Sequence, residues 1–412
     1  MPSTHSRPRS IQTAYQNALI GLAWLVAGVL LVFTARRWLF MLAALWPDRF
    51  DADLFRPRPE PVHVLLLAPI RNEEPVLSAF LPALAGLDYP EPFLTVVLID
   101  DGSTDGTGRL LESWAANRTN WHVLSLTPNL GKAAALNAAL ARFPQGDIVA
   151  VYDADEQPRP ETLSYLVLSF NEPTVGGVSG RRAVSNALVS PAASYTAFEG
   201  LVHQLITLRA KDKLSLAPAI LGANCAYRRS ALAQVGNFKP GVFLEDSDLT
   251  LKLARAGWQI RFEPRAVSYH RVSETISGYW QQHTRWARGF NDVARDQVRS
   301  IISDRRLPVA LRLELAMFAL GYLDRLALLA AAGLTLLKQT RRQVGGVLII
   351  TLLTPLCQIM AALAVGREAP AMWGRIIWVP VFFLFDIAMA MAGAWQTLLK
   401  SPKVWEERNA RH

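Results

Sequence analysis

The chain has 412 residues, of which 51% are hydrophobic, and a formal net charge of +9. Its mean hydropathy of +0.17 excludes an ordinary soluble protein. The two cysteines, Cys225 and Cys357, exclude a disulfide framework or a cysteine metal site, and the basic surplus clusters beside apolar runs, so it does not point to nucleic acid.

The first apolar run covers 18–34 and has the length of a bilayer-spanning helix. It lacks a small-residue cleavage site and reads as an uncleaved anchor within 1–50. Arg36, Arg37, Arg56 and Arg58 follow it, against Arg7 and Arg9 before it, which places the next segment on the cytoplasmic side.

From 55 to 290 the texture changes to alternating short β-rich runs and helical stretches. Strands are predicted over 63–68, 94–99, 121–126 and 147–152, with helices over 76–87, 106–116 and 132–142. This alternation implies an α/β domain with a doubly wound, mostly parallel sheet and ligands at the carboxyl ends of the strands.

Polar motifs fall at those ends. The first strand runs into Pro69, Arg71 and Glu73, and the second into Asp100, Asp101 and Gly102. Carboxylates there suit ribose hydroxyls or a base N–H, and they equally suit a turn and helix cap. Lys132 opens the third helix, where a cation meets a donor's phosphates or simply solvent. Asp153 and Asp155 follow the fourth strand with both side chains on one side, a hard-oxygen pair suited to Mg²⁺ or Mn²⁺. Glu245 and Asp246 open an amphipathic stretch, as helix-start acids or, for Asp246, as a general base. Gln282, Arg285 and Trp286 have i, i+3, i+4 spacing and share a helix face. That face offers a diphosphate clamp and an indole platform, while the same residues also suit an interfacial helix. His270 reads as structural.

The C-terminal part, 291–412, carries apolar runs over 344–365 and 376–399. Arg312, Glu314, Asp324 and Arg325 interrupt the segment 311–337, which therefore reads as interfacial or re-entrant, before a spanning hairpin. Lys338, Arg341, Arg342, Lys400, Lys403, Arg408 and Arg411 flank these runs and place the tail in the cytoplasm.

With all four motifs in order, the segment 61–289 resembles the membrane-bound, inverting family 2 glycosyltransferases that include cellulose, chitin, hyaluronan and poly-N-acetylglucosamine synthases. The resemblance implies a GT-A-like domain set between transmembrane and interfacial helices of a multi-pass inner-membrane protein. It implies that Asp101 contacts the uracil of a UDP-sugar, that Asp153 and Asp155 hold nucleotide and metal, and that Asp246 is the base. Gln282 and Arg285 would bind the diphosphate and Trp286 the acceptor sugar, with Asn224 in the segment that lines the acceptor site and Glu245 also assigned to acceptor binding. The implied partners are a UDP-sugar, a polysaccharide or lipid acceptor, membrane lipids and accessory export or regulatory subunits. Two alternatives stay open: an enzyme adding one sugar to a lipid, as ceramide glucosyltransferases do, and a non-catalytic nucleotide-sugar-binding partner of an export system.

Overall fold

The computed structural model describes residues 9–47, 61–242 and 244–399. The boundary expected at 55 and the flanking charges Arg7, Arg56, Arg58, Lys400, Lys403, Arg408 and Arg411 lie outside the described residues.

One eight-stranded sheet organises the soluble part. Its strands are β1 (Val64–Ile70), β2 (Leu94–Asp100), β3 (Trp121–Ser125), β4 (Ile148–Val151), β5 (Gln157–Pro158), β6 (Val175–Val184), β7 (Cys225–Arg228) and β8 (Gln259–His270), in spatial order 3-2-1-4-7-6-8-5. The half read from sequence, β3-β2-β1-β4, is parallel throughout. The other half mixes directions, because β7 runs antiparallel to both β4 and β6, and β5 antiparallel to β8, while β6 and β8 are parallel.

Continuous apolar strands arise because both faces are covered. Leu65, Leu67, Val97 and Ile99 pack with Leu136 and Leu140, whereas Val64, Leu66, Val96 and Leu98 pack with Leu77, Phe80 and Leu84. In chain order the helices are α1 (Arg9–Leu45), α2 (Glu74–Ala85), α3 (Thr107–Ala115), α4 (Lys132–Arg142), α5 (Thr162–Leu168), α6 (Pro191–Leu201) and α7 (Arg209–Lys213). They continue with α8 (Arg229–Gln234), α9 (Glu245–Arg255), α10 (Ile276–Ser303), α11 (Val309–Ala319), α12 (Leu323–Thr335), α13 (Arg341–Gly366), α14 (Pro370–Gly374) and α15 (Val379–Leu398). A π-helical stretch, Val202–Leu208, joins α6 to α7. The helix with Gln282 and Trp286 runs to Ser303, past the boundary expected at 290.

Three stretches, Thr13–Leu45, Arg341–Gly366 and Pro370–Leu398, are long and apolar enough to cross a membrane. The segment expected to be interfacial or re-entrant forms α11 and α12, which meet at 70° and form a fourth candidate only if the pair counts as one span. Glu314, Asp324 and Arg325 are paired. Arg36 grips Glu314 through two hydrogen bonds of 2.7 and 2.5 Å, Lys211 reaches Glu314 at 3.3 Å, and Arg37 and Arg325 both bind Asp324. Arg36 and Arg37, expected to flank the first span, therefore stand inside α1, which continues to Leu45. Thr34 bonds Thr351 at 2.8 Å and Trp38 bonds Thr354 at 3.1 Å, fixing α1 against α13.

Candidate active site

The loops after β1 and β2 are stitched together. The Asn72 backbone N–H donates to Ser103 Oγ at 3.1 Å, and Asn72 Oδ1 accepts from the Thr104 N–H at 2.8 Å. Asp100 accepts from the Ser103 N–H at 2.9 Å. Asp101, buried, accepts from the N–H groups of Leu130 and Gly131, both at 2.8 Å, and from Asn129 Nδ2 at 2.7 Å. These bonds set the turn before α4, where Gly131 takes a left-handed φ of 82°. The turn delivers Lys132 to the site.

Lys132 Nζ lies 2.7 Å from Asp153 Oδ1 and 3.4 Å from Glu245 Oε1, and donates to the Gly222 carbonyl at 2.9 Å. It thereby joins the Asp-x-Asp turn after β4 to the start of α9. The carboxylates hold the ammonium charge more firmly than burial opposes it, so its pKa is raised. Asp246, in the first turn of α9, has its carboxyl pushed up to about 7 by burial and by the charge of Glu245, with Lys132 pulling the other way. That value suits a group that takes a proton near neutrality.

Gly222 fits closely against this carboxyl. It adopts φ +72°, and a Cβ there would lie 2.8 Å from Asp246 Oδ2. Gly222→Ala is therefore expected to displace the Asp246 carboxyl and, on the reading of Asp246 as the base, to lower turnover at least about tenfold, since small misplacements of reacting groups are costly. Turnover and UDP affinity measured side by side check this; full turnover would show that the carboxyl tolerates the methyl group.

Gln282, Arg285 and Trp286 project from α10 into the same cavity of about 1760 Å³. Pro69, Glu73, Lys132, Asp153, Asp155, Glu245 and Asp246 also line it, so the structure brings most of the expected residues together. Arg71, Asp100, Asp101 and Asn224 are not among its lining residues. Asp101 gives its oxygens to the 129–131 turn, which leads into Lys132. Asn224 is fully buried, its amide donating to the carbonyls of Arg181 at 3.0 Å and Ala266 at 2.8 Å, so it ties β6 to β8.

Residues 66–236 match the family described as Glycosyl transferase family 2. The segment 66–236 is thus similar to family 2 glycosyl transferase domains. Over 230 residues the chain is 34% identical to "Probable glycosyltransferase YdaM" of Bacillus subtilis, covering 55% of this chain and 54% of that protein. It is 29% identical over 240 residues to the poly-beta-1,6-N-acetyl-D-glucosamine synthase of Staphylococcus epidermidis, covering 57% and 56%. It is 33% identical over 232 residues to the beta-monoglucosyldiacylglycerol synthase of a Nostoc species, covering 55% and 48%. The chain thus spans about half the length of the curated relatives it matches. Its fold is that of a mannosyltransferase from Pyrobaculum calidifontis solved with GDP-Man and Mn²⁺, with TM-score 0.61 and 24% identity over 92% of this chain and 100% of that one.

The cavity has features that the motifs do not announce. Beside the Asp-x-Asp turn, Glu156 is wholly buried and accepts from Arg182 Nε at 2.5 Å. Burial pushes its carboxyl up to about 7, Arg182 opposes, and Asp155 adds to the rise. The backbone of Arg182 is held on both sides by Gln204 of the π-helical stretch, at 2.6 and 2.9 Å. His270, read as structural, lines the cavity, as do Arg182, Glu199 and Asp386. Only a three-dimensional neighbour reveals them, since each stands in a run that reads as ordinary strand or helix.

For a divalent ion, Asp153 and Asp155 supply a pair of hard oxygen donors on one turn, which fits Mg²⁺ or Mn²⁺. Among the described residues no group of three or more His, Cys, Asp and Glu side chains stands ready as a complete cage.

Proposed function

We propose that this protein transfers a sugar of the glucose or N-acetylglucosamine type from a UDP-sugar to a growing polysaccharide at the inner membrane, with inversion and coupled to export. The domain would face the cytoplasm in a multi-pass arrangement, with Mg²⁺ or Mn²⁺ on Asp153 and Asp155. When bound, the ion neutralises charge on the departing diphosphate. Lys132, Gln282 and Arg285 supply cationic and hydrogen-bonding partners to the same group. Asp246 takes the proton of the acceptor hydroxyl as that oxygen attacks the anomeric carbon, and one displacement inverts it. Trp286 offers a flat apolar face to the acceptor ring.

The observation that carries this reading is the continuity of the cavity. It runs from Asp246 past Trp286 to Arg36 of α1, Gln358 of α13 and Asp386 of α15, a partly polar path suited to a hydrophilic chain. Phe33, Ile359 and Phe383 share that wall, and an acyl chain could lie along them, which favours single addition to a lipid as the second reading. Incubating purified protein with individual UDP-sugars and Mg²⁺ or Mn²⁺, then sizing products by mass spectrometry, separates the two. A ladder is expected; one lipid-linked increment supports the second reading. No product from folded, UDP-binding protein leaves the non-catalytic alternative.

A further inference from the structure

The membrane-side wall of the cavity holds an ionisable residue that the reaction as described leaves unused. Asp386 is 6% exposed and is the sole ionisable residue in the sequence of α15. A carboxylate within a span costs roughly 2.5 kcal/mol or more on insertion scales, so burial for packing alone does not account for it.

Its two oxygens are committed. Oδ1 accepts from the Tyr279 hydroxyl at 2.7 Å and Oδ2 from the Tyr195 hydroxyl at 3.0 Å. Tyr279 lies on α10, and its ring lies 3.9 Å from that of His283, one turn along. The two His283 ring nitrogens face the Tyr279 carbonyl and the Glu199 carboxylate, both at 2.9 Å. The His283 ring in turn meets Trp286 edge-on at 4.8 Å. Further along, a Cβ on Gly393 of α15 would lie 2.7 Å from Ala287 Cβ, so the two helices touch nearly backbone to backbone beside Trp286.

We propose that Asp386 is a positioning residue: through Tyr279 and His283 it fixes the Trp286 indole at the acceptor end of the cavity. This rests on the reading of Trp286 as the acceptor platform. The carboxylate anchors the Tyr279 hydroxyl, the tyrosine ring backs the imidazole, and Glu199 holds the imidazole's far nitrogen, which leaves the indole one supported orientation. The last span thereby sets acceptor binding without touching the donor.

The test uses the full chain in detergent or nanodiscs, with UDP-glucose or UDP-N-acetylglucosamine, whichever the protein turns over, and a tetramer of the same sugar as acceptor. Tyr279→Phe removes only a hydroxyl, Asp386→Asn removes the charge, and the double variant closes the cycle. Each single variant is expected to raise the acceptor KM about tenfold while the UDP-sugar KM stays within about twofold, and the double variant should be no worse than the worse single. If Asp386→Asn does not fold, Tyr279→Phe alone carries the test. An unchanged acceptor KM, a parallel rise in both KM values, or additive losses would overturn the proposal. A wild-type protein with no transfer would instead remove the reading of the domain on which it rests.

Discussion

Asp246→Asn is expected to lower transfer about 10²–10⁴-fold while UDP still binds, because the amide keeps the shape of the carboxyl and cannot take a proton. The geometry makes the separation clean. Asp246 sits at the start of α9 and accepts from the Ser247 N–H at 2.6 Å, whereas the residues assigned to the diphosphate are Lys132, Gln282 and Arg285. The pH profile gives an independent reading. With the carboxyl pushed up to about 7, its deprotonated fraction falls about tenfold per pH unit below that value, so kcat/KM should decline on the acid side of neutrality. The Asn variant should lose that limb. Unchanged turnover, measured with UDP affinity in the same preparation, would remove Asp246 as the base.

Lys132→Met should cost about 10²-fold in kcat/KM at pH 7, through two separable effects. One is loss of a cation for the donor's diphosphate, seen as weaker UDP binding. The other concerns the base. Lys132 is the positive charge that pulls Asp246 toward its ionised form, against burial and Glu245. Removing it leaves Asp153, Glu245 and Asp246 to repel one another, so the Asp246 pKa rises further and the acid limb moves to higher pH. A variant that loses UDP affinity yet keeps its acid limb in place would show that Lys132 serves the donor alone.

Much of this site is legible in the sequence because its residues are local. Strands β1 to β4 are apolar runs ending in polar turns, and the Asp-x-Asp pair and the Gln282 to Trp286 face depend only on strand and helix periods. The mixed half of the sheet is harder to read. β6 is built around Gly176, Gly177 and Gly180, and β8 alternates charged residues with apolar ones, so neither is a clean apolar run. The role of Asn224 is invisible because its partners are carbonyls on two distant strands. The bonds of Asp101 to the neighbouring turn are equally hidden, since they join two loops about 30 residues apart. Arg36 and Arg37 look like flanking charges because the carboxylates that neutralise them lie 278 and 287 residues away.

Those long-range pairs bear on how the protein is made. As α1 leaves the ribosome, Arg36 and Arg37 have no counter-charge, and they must wait near the head groups, stems extended, until Glu314 and Asp324 are synthesised. Final seating of the first helix is thus among the last events of assembly. A nascent chain stopped before α11 would hold its sheet on an anchor that has not yet settled, with the cavity still open on the side that α11 to α15 close.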